Sequence, residues 1–520
     1  MSWPISDVDH ILVDSAEMLD IESLILSKGL PVESLMEKVG NSIFMWLLEH
    51  KEFLADGVVF LIGPGHNGGD GLVVARELYN AGFEVSFWSP FKSRKKLTTI
   101  HYEYLKWLGV KEYECPPNPS GKELWIDSFF GLGQVRELER EINKLFIERE
   151  ISMPNKLISI DVPSGICSDT GKQLSTGAAI ASYTLTIGLV KQGLIQDLAL
   201  RNVGKLVRID IGIPKQVLND QYRNKLLRIK REDLNTLKFP KPPINASKYN
   251  RGRVLIIAGS TRYPGAALLS LQGAFASGSG SIQAILPEKV ASEAWKINPE
   301  VVVVQIFKSS IEDNDKLISF LENDISDRYE SILIGPGLGR FPRTWHSISN
   351  SICKFKGLLV LDADGINELA NTNESIKWLK ERSGPTWITP HIREFQRLFP
   401  SFISLSPLEA AQKASSSSGA SVLLKGANTI ICDASQKKWQ LTETAPWSAR
   451  AGLGDLLSGL VAGVGSVAFL ENQKLSGEKL AISAFLHSRA ADSASEGSQA
   501  SLIAKLLSQI VVKIQKSQSI

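Results

Sequence analysis

Val58-Val-Phe-Leu-Ile-Gly63, Pro64-Gly-His-Asn-Gly-Gly-Asp-Gly71 and Leu72-Val-Val-Ala-Arg-Glu-Leu78 follow one another without a break. A β-branched apolar run, a loop with five glycines in nine residues, and then apolar residues at helical spacing predict strand, tight turn and helix. Glycines let the backbone approach a ligand closely, and the free amides and dipole of a helix start favour phosphate, so the stretch reads as an anion cradle. Gly63, Gly65 and Gly68 spell GxGxxG. A dinucleotide-binding unit also needs an acidic residue about 20 residues on, at the end of the next strand. The strand expected at 84–89 ends in Ser89, which disfavours an ordinary dehydrogenase. Asn67 and Asp70 are not explained by a cofactor fingerprint; they either bind a ligand or cap the helix.

Length sets the frame around this stretch. A chain of 520 residues, 43% apolar and 22% charged, is too long for one core and predicts two domains. Cys115, Cys167, Cys353 and Cys432 are widely spaced and form no metal-like pair, as expected of reduced structural cysteines in a cytoplasmic protein. The first ten residues lack a basic region and an apolar core, so no signal peptide is expected. The most membrane-like run, 459–470, is rich in glycine and shorter than the about 20 residues a bilayer span needs. A net charge of +3 does not decide for or against nucleic acid.

Helical spacing is expected at 33–48, 97–108 and 137–149, and strands at 84–89, 124–130 and 156–160. This alternation predicts βαβ units and a parallel sheet, with ligands beyond the carboxyl ends of the strands. Three of those ends carry Asn67 with Asp70, Asp127 followed by Gly131-Leu-Gly133, and Asp161-Val-Pro-Ser164. Acids repeated at strand ends are better explained by a site than by a scattered polar surface. Oxygen donors without paired histidines suit a hard cation.

GPGHNGGDG, FFGLG after Asp127, DVPSGICSDTG and the closing strand 208–214 together resemble the NAD(P)H-hydrate epimerase domain, over roughly residues 10–215. The resemblance implies a Rossmann-like three-layer α/β/α domain. It implies that His66, Asn67, Gly68, Gly69, Asp70, Gly131, Leu132, Gly133 and Asp161 bind the hydrated nucleotide, with Asp161 as acid/base. It further implies that Asn67, Asp127 and Ser164 hold K+. The family usually has asparagine at the position of His66 and threonine at that of Leu132, and leucine offers no hydrogen bond there. Domain one is expected over 1–218.

Between 219 and 245 the composition changes: Arg223, Lys225, Arg228, Lys230 and Arg231 crowd together, and Phe239-Pro-Lys-Pro-Pro243 interrupts regular structure. The basic run lacks interleaved aromatics, so it reads as a solvated linker and not a nucleic-acid patch. Lys92-Ser-Arg-Lys-Lys96 reads the same way, or faces a cofactor phosphate.

A second alternation fills 246–520, with strands expected at 253–260, 282–286, 301–304, 332–335, 358–361, 387–389 and 422–424. Gly335-Pro-Gly-Leu-Gly339, Asp362-Ala-Asp-Gly365, Thr389-Pro-His391 and Lys425-Gly-Ala-Asn-Thr429 follow strands, and Ala451-Gly-Leu-Gly-Asp455 opens a helix of small residues. An aspartate at a helix start is commonly an N-cap. Beside glycines whose amides hold phosphate charge, it also serves as the base for a hydroxyl, the ribokinase-like solution to phosphoryl transfer.

YNRGRV, GAA, GPGLG, LDAD, TPH, LLKG, GLGD and Leu486-His487, in this order, resemble the ADP- or ATP-dependent NAD(P)H-hydrate dehydratase domain. The resemblance implies a ribokinase-like α/β domain using Mg2+ with ADP or ATP. Asp455 is implied as the base, and Ala266, Gly337, Gly339, His391 and Asp455 as the groups that meet the hydrate. Lys425, Gly426, Ala427, Asn428, Thr429 and Gly454 are implied in nucleotide binding. The family usually has threonine-glycine where this chain has Arg450-Ala451 and a small hydroxyl residue at Leu453; Arg450 could add a phosphate contact. The expected function is bifunctional: epimerisation of hydrated NADH and NADPH, then dehydration of the S form. A ribokinase-like metabolite kinase with a fused binding module, or a nucleotide sensor without turnover, are the alternatives. The expected partners are these small molecules, with neither nucleic acid nor membrane; the oligomeric state stays open.

Overall fold

The computed structural model describes residues 3–218, 225–239, 244–312, 315–323, 325 and 328–517. Arg223 and residues 240–243 of the expected linker lie outside these residues. The chain divides into two compact units, Ser6–Leu226 and Leu227–Ile520, the latter joined by the residues up to Ile5.

In the first unit, seven parallel strands form one sheet. In spatial order they are Lys111–Tyr113, Val85–Trp88, Val58–Ile62, Leu124–Ser128, Leu157–Ile160, Tyr183–Ile187 and Lys205–Ile209. Counted along the chain this is 3-2-1-4-5-6-7, so the order reverses between Val58–Ile62 and Leu124–Ser128. Ligands in such sheets bind at that reversal, beyond the strand ends. All five residues of Val58–Ile62 are buried, as expected of a central strand covered by helices on both faces. Helices Val32–Glu49, His66–Asn80, Lys96–Trp107 and Arg140–Ser152 lie near their expected positions. The helix Ser15–Ser27, opened by the capping box of Asp14 and Glu17, was not foreseen.

The second unit is built on ten strands. Leu226–Ile229, Lys438–Leu441 and Ile430–Cys432 form one end, followed by Ser421–Leu424, Thr386–Ile388, Leu358–Leu361, Ser331–Ile334, Arg253–Ile257, Ser281–Pro287 and Val302–Phe307. The run from Ser421–Leu424 to Val302–Phe307 is parallel, and the pairs on either side of Ile430–Cys432 are antiparallel. The span expected as a linker differs: Leu226–Ile229 is the edge strand of this sheet, and the amide of Thr442 donates to the carbonyl of Ile229 at 3.0 Å. Its apolar Leu226, Leu227 and Ile229 sit among the basic residues Lys225, Arg228, Lys230 and Arg231, which masks the strand.

The helix Leu453–Glu471 is apolar enough to cross a membrane by length and composition, yet 72% of its apolar window is buried inside the protein. It packs on the helix Pro264–Ala276 so closely that a Cβ on Gly459 would meet the Ser270 carbonyl oxygen at 1.9 Å. The glycines that weakened it as a span are therefore its packing face.

Candidate active sites

In the first unit, the turn after Val58–Ile62 and the turn after Leu124–Ser128 touch backbone to backbone. A Cβ on Gly63 would lie 1.7 Å from the Phe129 carbonyl oxygen, so only glycine fits. Neither Asn67 nor Asp70 caps the helix His66–Asn80, in which both lie; Gly65 is its N-cap, with no side-chain cap bond. Both side chains are instead turned to a cavity of about 940 Å3 whose lining includes His66, Asn67, Asp70, Gly131, Leu132, Gly133 and Asp161. Gly68 and Gly69 lie in the same helix but do not line the cavity.

Asp161 follows the strand Leu157–Ile160 with φ of 66°, a left-handed conformation that aspartate tolerates better than most residues. Its Oδ1 accepts from Lys191 Nζ at 2.5 Å and from the Ile187 amide at 3.2 Å. Lys191 is 1% exposed, and its ammonium also donates to Thr186 Oγ1 at 3.2 Å and to the Ile187 carbonyl at 2.5 Å. The sequence reading missed Lys191; the signal was a lysine inside the apolar run Gly188-Leu-Val-Lys-Gln-Gly-Leu194.

Asp127 is fully buried. It accepts from Ser164 Oγ at 2.6 Å, the Ser164 amide at 2.9 Å, Ser159 Oγ at 2.9 Å and the Phe129 amide at 3.3 Å. Burial pushes its carboxyl up, against these hydrogen bonds. Asn67 donates to the Ile160 carbonyl at 3.2 Å, while its Oδ1 is buried with no hydrogen-bond partner. An orphaned buried carbonyl oxygen is costly unless something electropositive reaches it. Among the described residues no group of three His, Cys, Asp or Glu side chains is disposed to hold a metal. The donor set of Asn67, Asp127 and Ser164 is oxygen only, which suits a hard cation and not zinc.

Charge in the cavity is crowded. Asp70 is pushed well above the usual carboxylate range by burial, then by Asp161 and Glu22. Glu22, another cavity residue the sequence reading missed, is raised by burial and Asp161 against the pull of Lys191 and Lys95. His66 is lowered by burial and Lys95, which keeps the imidazole neutral. Lys95 lines the cavity, whereas Arg94 stacks on Tyr102 at 3.8 Å and bonds Ser89.

The second unit gathers its polar residues at the ends of Leu358–Leu361, Thr386–Ile388 and Ser421–Leu424. Asp362 Oδ1 accepts from Lys425 Nζ at 2.6 Å and from Thr389 Oγ1 at 3.0 Å. Lys425 Nζ would be 3.5 Å from a Cβ on Gly454, which sets the ammonium against the start of Leu453–Glu471. Gly452 is that helix's N-cap, so Asp455 does not cap it. Burial, then Asp362, pushes the Asp455 carboxyl up to about 6, with Lys425 pulling the other way and Asp364 adding to the rise. The Gly339 amide donates to Asp364 Oδ2 at 2.8 Å, and a Cβ on Gly337 would meet that of Ala266 at 2.6 Å. Those turns close on each other at the point where the strand order of this sheet reverses, between Ser331–Ile334 and Arg253–Ile257.

His391 has a structural task that was not foreseen: its Nδ1 accepts from the Arg393 amide at 3.0 Å and caps the helix Ile392–Leu398, with Nε2 3.2 Å from Glu394. The loop 425–429 closes on itself through Thr429 Oγ1 to the Gly426 carbonyl at 3.3 Å, and Thr444 Oγ1 donates to the Ala427 carbonyl and to Asn428 Oδ1. Arg450, which could add a phosphate contact, directs its Nε and Nη2 to the carbonyls of Trp447 and Glu496. His487 is buried with Nε2 unpartnered, and burial lowers its imidazole to about 4.

Two family models match the chain. One, described as NAD(P)H-hydrate dehydratase, covers residues 254–513, and one, described as YjeF-related protein N-terminus, covers residues 32–193. The chain is 36% identical over 460 residues to the bifunctional NAD(P)H-hydrate repair enzyme of a Synechocystis species, spanning 87% of this chain and 85% of that protein. It is 35% identical over 459 residues to the enzyme of the same description from Gloeobacter violaceus, spanning 86% and 88%. Among solved structures, the ADP/ATP-dependent NAD(P)H-hydrate dehydratase of Bacillus subtilis, co-crystallised with ATP and Mg2+, matches 55% of this chain and 96% of its own at 24% identity and a TM-score of 0.45.

Proposed function

The chain belongs to the bifunctional NAD(P)H-hydrate repair enzymes, and on that premise we propose how its two sites divide the work. The family joins an epimerase domain to an ADP- or ATP-dependent dehydratase domain, and both lie in this chain. Water added to a dihydronicotinamide leaves a hydroxyl on the carbon beside the ring nitrogen. The first unit inverts that carbon, and the second removes the hydroxyl from the S form.

In the first cavity we assign proton transfer to Asp161, held in place by Lys191, and hydrate contact to His66, Asn67, Asp70, Gly131, Leu132 and Gly133. The unpartnered Oδ1 of Asn67 supports K+ there, held with Asp127 and Ser164. Such an ion, when bound, would offset the carboxylates crowding the cavity.

In the second site, Asp455 takes the proton of the substrate hydroxyl as its oxygen attacks the terminal phosphorus of the nucleotide. Lys425 and the amides of Gly454 and the helix start balance the phosphoryl charge, and Gly426, Ala427, Asn428 and Thr429 hold the rest of the nucleotide. Ala266, Gly337, Gly339 and His391 face the hydrate. Breakage of the carbon–oxygen bond then expels phosphate as the neighbouring carbon loses a proton, restoring NAD(P)H. Mg2+ would arrive on the phosphates of ADP or ATP and shield them. ADP is our choice of donor. The four cysteines are all free, which supports a cytoplasmic, reducing setting.

The observation that carries the second assignment is the Asp455 carboxyl, raised to about 6 beside Lys425 at a helix start. The test is recovery of the near-ultraviolet band of reduced nicotinamide from mixed R and S NADH hydrate with Mg2+ and ADP or ATP. Full recovery supports both activities; a plateau at the S fraction rejects the epimerase; no recovery with either nucleotide favours the kinase or sensor alternatives.

A further inference from the structure

Inverting a hydroxyl-bearing carbon beside nitrogen requires one group that gives a proton and one that takes it. The carbon–oxygen bond breaks, the nitrogen lone pair forms a carbon–nitrogen double bond, and the departing oxygen leaves as water with the acid's proton. Water then adds to the opposite face, its proton goes to the base, and the double-bond electrons return to nitrogen. The reverse inversion exchanges the two roles, so protons balance over the cycle.

Lys191 is excluded as the proton donor by its hydrogen bonds. An ammonium has three N–H groups, and those of Lys191 reach Asp161 Oδ1, Thr186 Oγ1 and the Ile187 carbonyl. Asp161, whose Oδ1 already accepts from Lys191 and Ile187, is placed to take a proton. Asp127 accepts four hydrogen bonds and does not line the cavity. The other carboxyls that line it are Asp70, Glu22, Glu137 and Glu139. Glu137 and Glu139 are exposed beside Arg136, and Asp70, in the second turn of its helix, is only 8% exposed. Glu22 is half-buried on Ser15–Ser27, a separate element that lines the cavity through Leu19, Glu22, Ser23 and Leu26.

We propose that Glu22 is the general acid of epimerisation, working against Asp161 as base; the inference rests on the epimerase reading of this cavity. The groups facing Glu22 are Asp161 and Lys191 from the strand ends, Asp70 from the helix start and Lys95 from the loop, with neutral His66 beside Lys95. Burial, then Asp161, raises the Glu22 carboxyl in the direction that retains its proton, against the pull of Lys191 and Lys95.

The experiment follows exchange between R and S hydrate in the full chain, without nucleotide, by chromatography that resolves the epimers. Absence of exchange in the unaltered protein overturns the epimerase reading itself. Given exchange, Glu22→Gln is expected to slow kcat by about 100-fold to 1,000-fold with KM and the melting of the first unit retained, and to abolish the fall in kcat at alkaline pH. Glu22→Asp should keep that fall. Exchange at the unaltered rate in Glu22→Gln, or loss of the alkaline fall in Asp70→Asn instead, overturns the proposal.

Discussion

Asp161 and Lys191 are each costly without the other. Removing one member of a buried pair leaves an uncompensated charge, a loss of about 3–5 kcal/mol. Asp161→Asn keeps the residue type that tolerates φ of 66°. It should abolish epimerisation, leave dehydration intact, and lower the first unit's stability by about 3–5 kcal/mol, read by urea denaturation. Adding Lys191→Met should restore much of that stability and none of the activity. Asp455 runs in the opposite direction. Its folded value of about 6 lies above the ordinary 3.8, so its contribution to stability is fully present below about 4 and is lost as pH rises through about 6. As a base it must be ionised, so the dehydration rate should climb over that same interval. Asp455→Asn should abolish dehydration, preserve epimerisation, and at alkaline pH raise the melting temperature of the second unit; a lower one would mean that the carboxylate is stabilising.

Among elements, the pair Leu453–Glu471 and Pro264–Ala276 sets the geometry of the second site, because the first turn of the former carries Gly454 and Asp455. A methyl at Gly459 would collide with the Ser270 backbone, which no rotamer relieves. Gly459→Ala should cost about 1–3 kcal/mol and lower the nucleotide-dependent rate, while the first unit's transition in calorimetry stays put. Central strands were legible because continuous Val, Ile and Leu runs announce them. The hairpin Ile430–Cys432 with Lys438–Leu441 was not, since Lys438 and Gln440 interrupt its second strand's apolar residues and no continuous run announces it.

For the whole molecule, the division between units is not a single cut in the chain. Trp3 is buried with the second unit: its ring lies 5.2 Å from Phe485 and its Nε1 donates to the Asp233 carbonyl at 3.2 Å. Trp3→Ala should cost the second unit about 3–5 kcal/mol, visible as a lowered upper or lower calorimetric transition that tracks dehydratase activity and not epimerisation. A fragment beginning at residue 246 should be less stable again, since it also lacks Leu226–Ile229 and leaves Lys438–Leu441 as a bare edge. By itself the sequence determined the two α/β units, the glycine turns and the acids at the strand ends, because local spacing and backbone freedom are written residue by residue. Only the tertiary structure decided that Lys191 holds Asp161, that Asn67 keeps an unpartnered oxygen, that Glu22 enters the cavity and that Arg450 turns away to carbonyls. Those facts depend on burial and on partners as many as 139 residues apart, from Glu22 to Asp161, and neither is expressed in any local pattern.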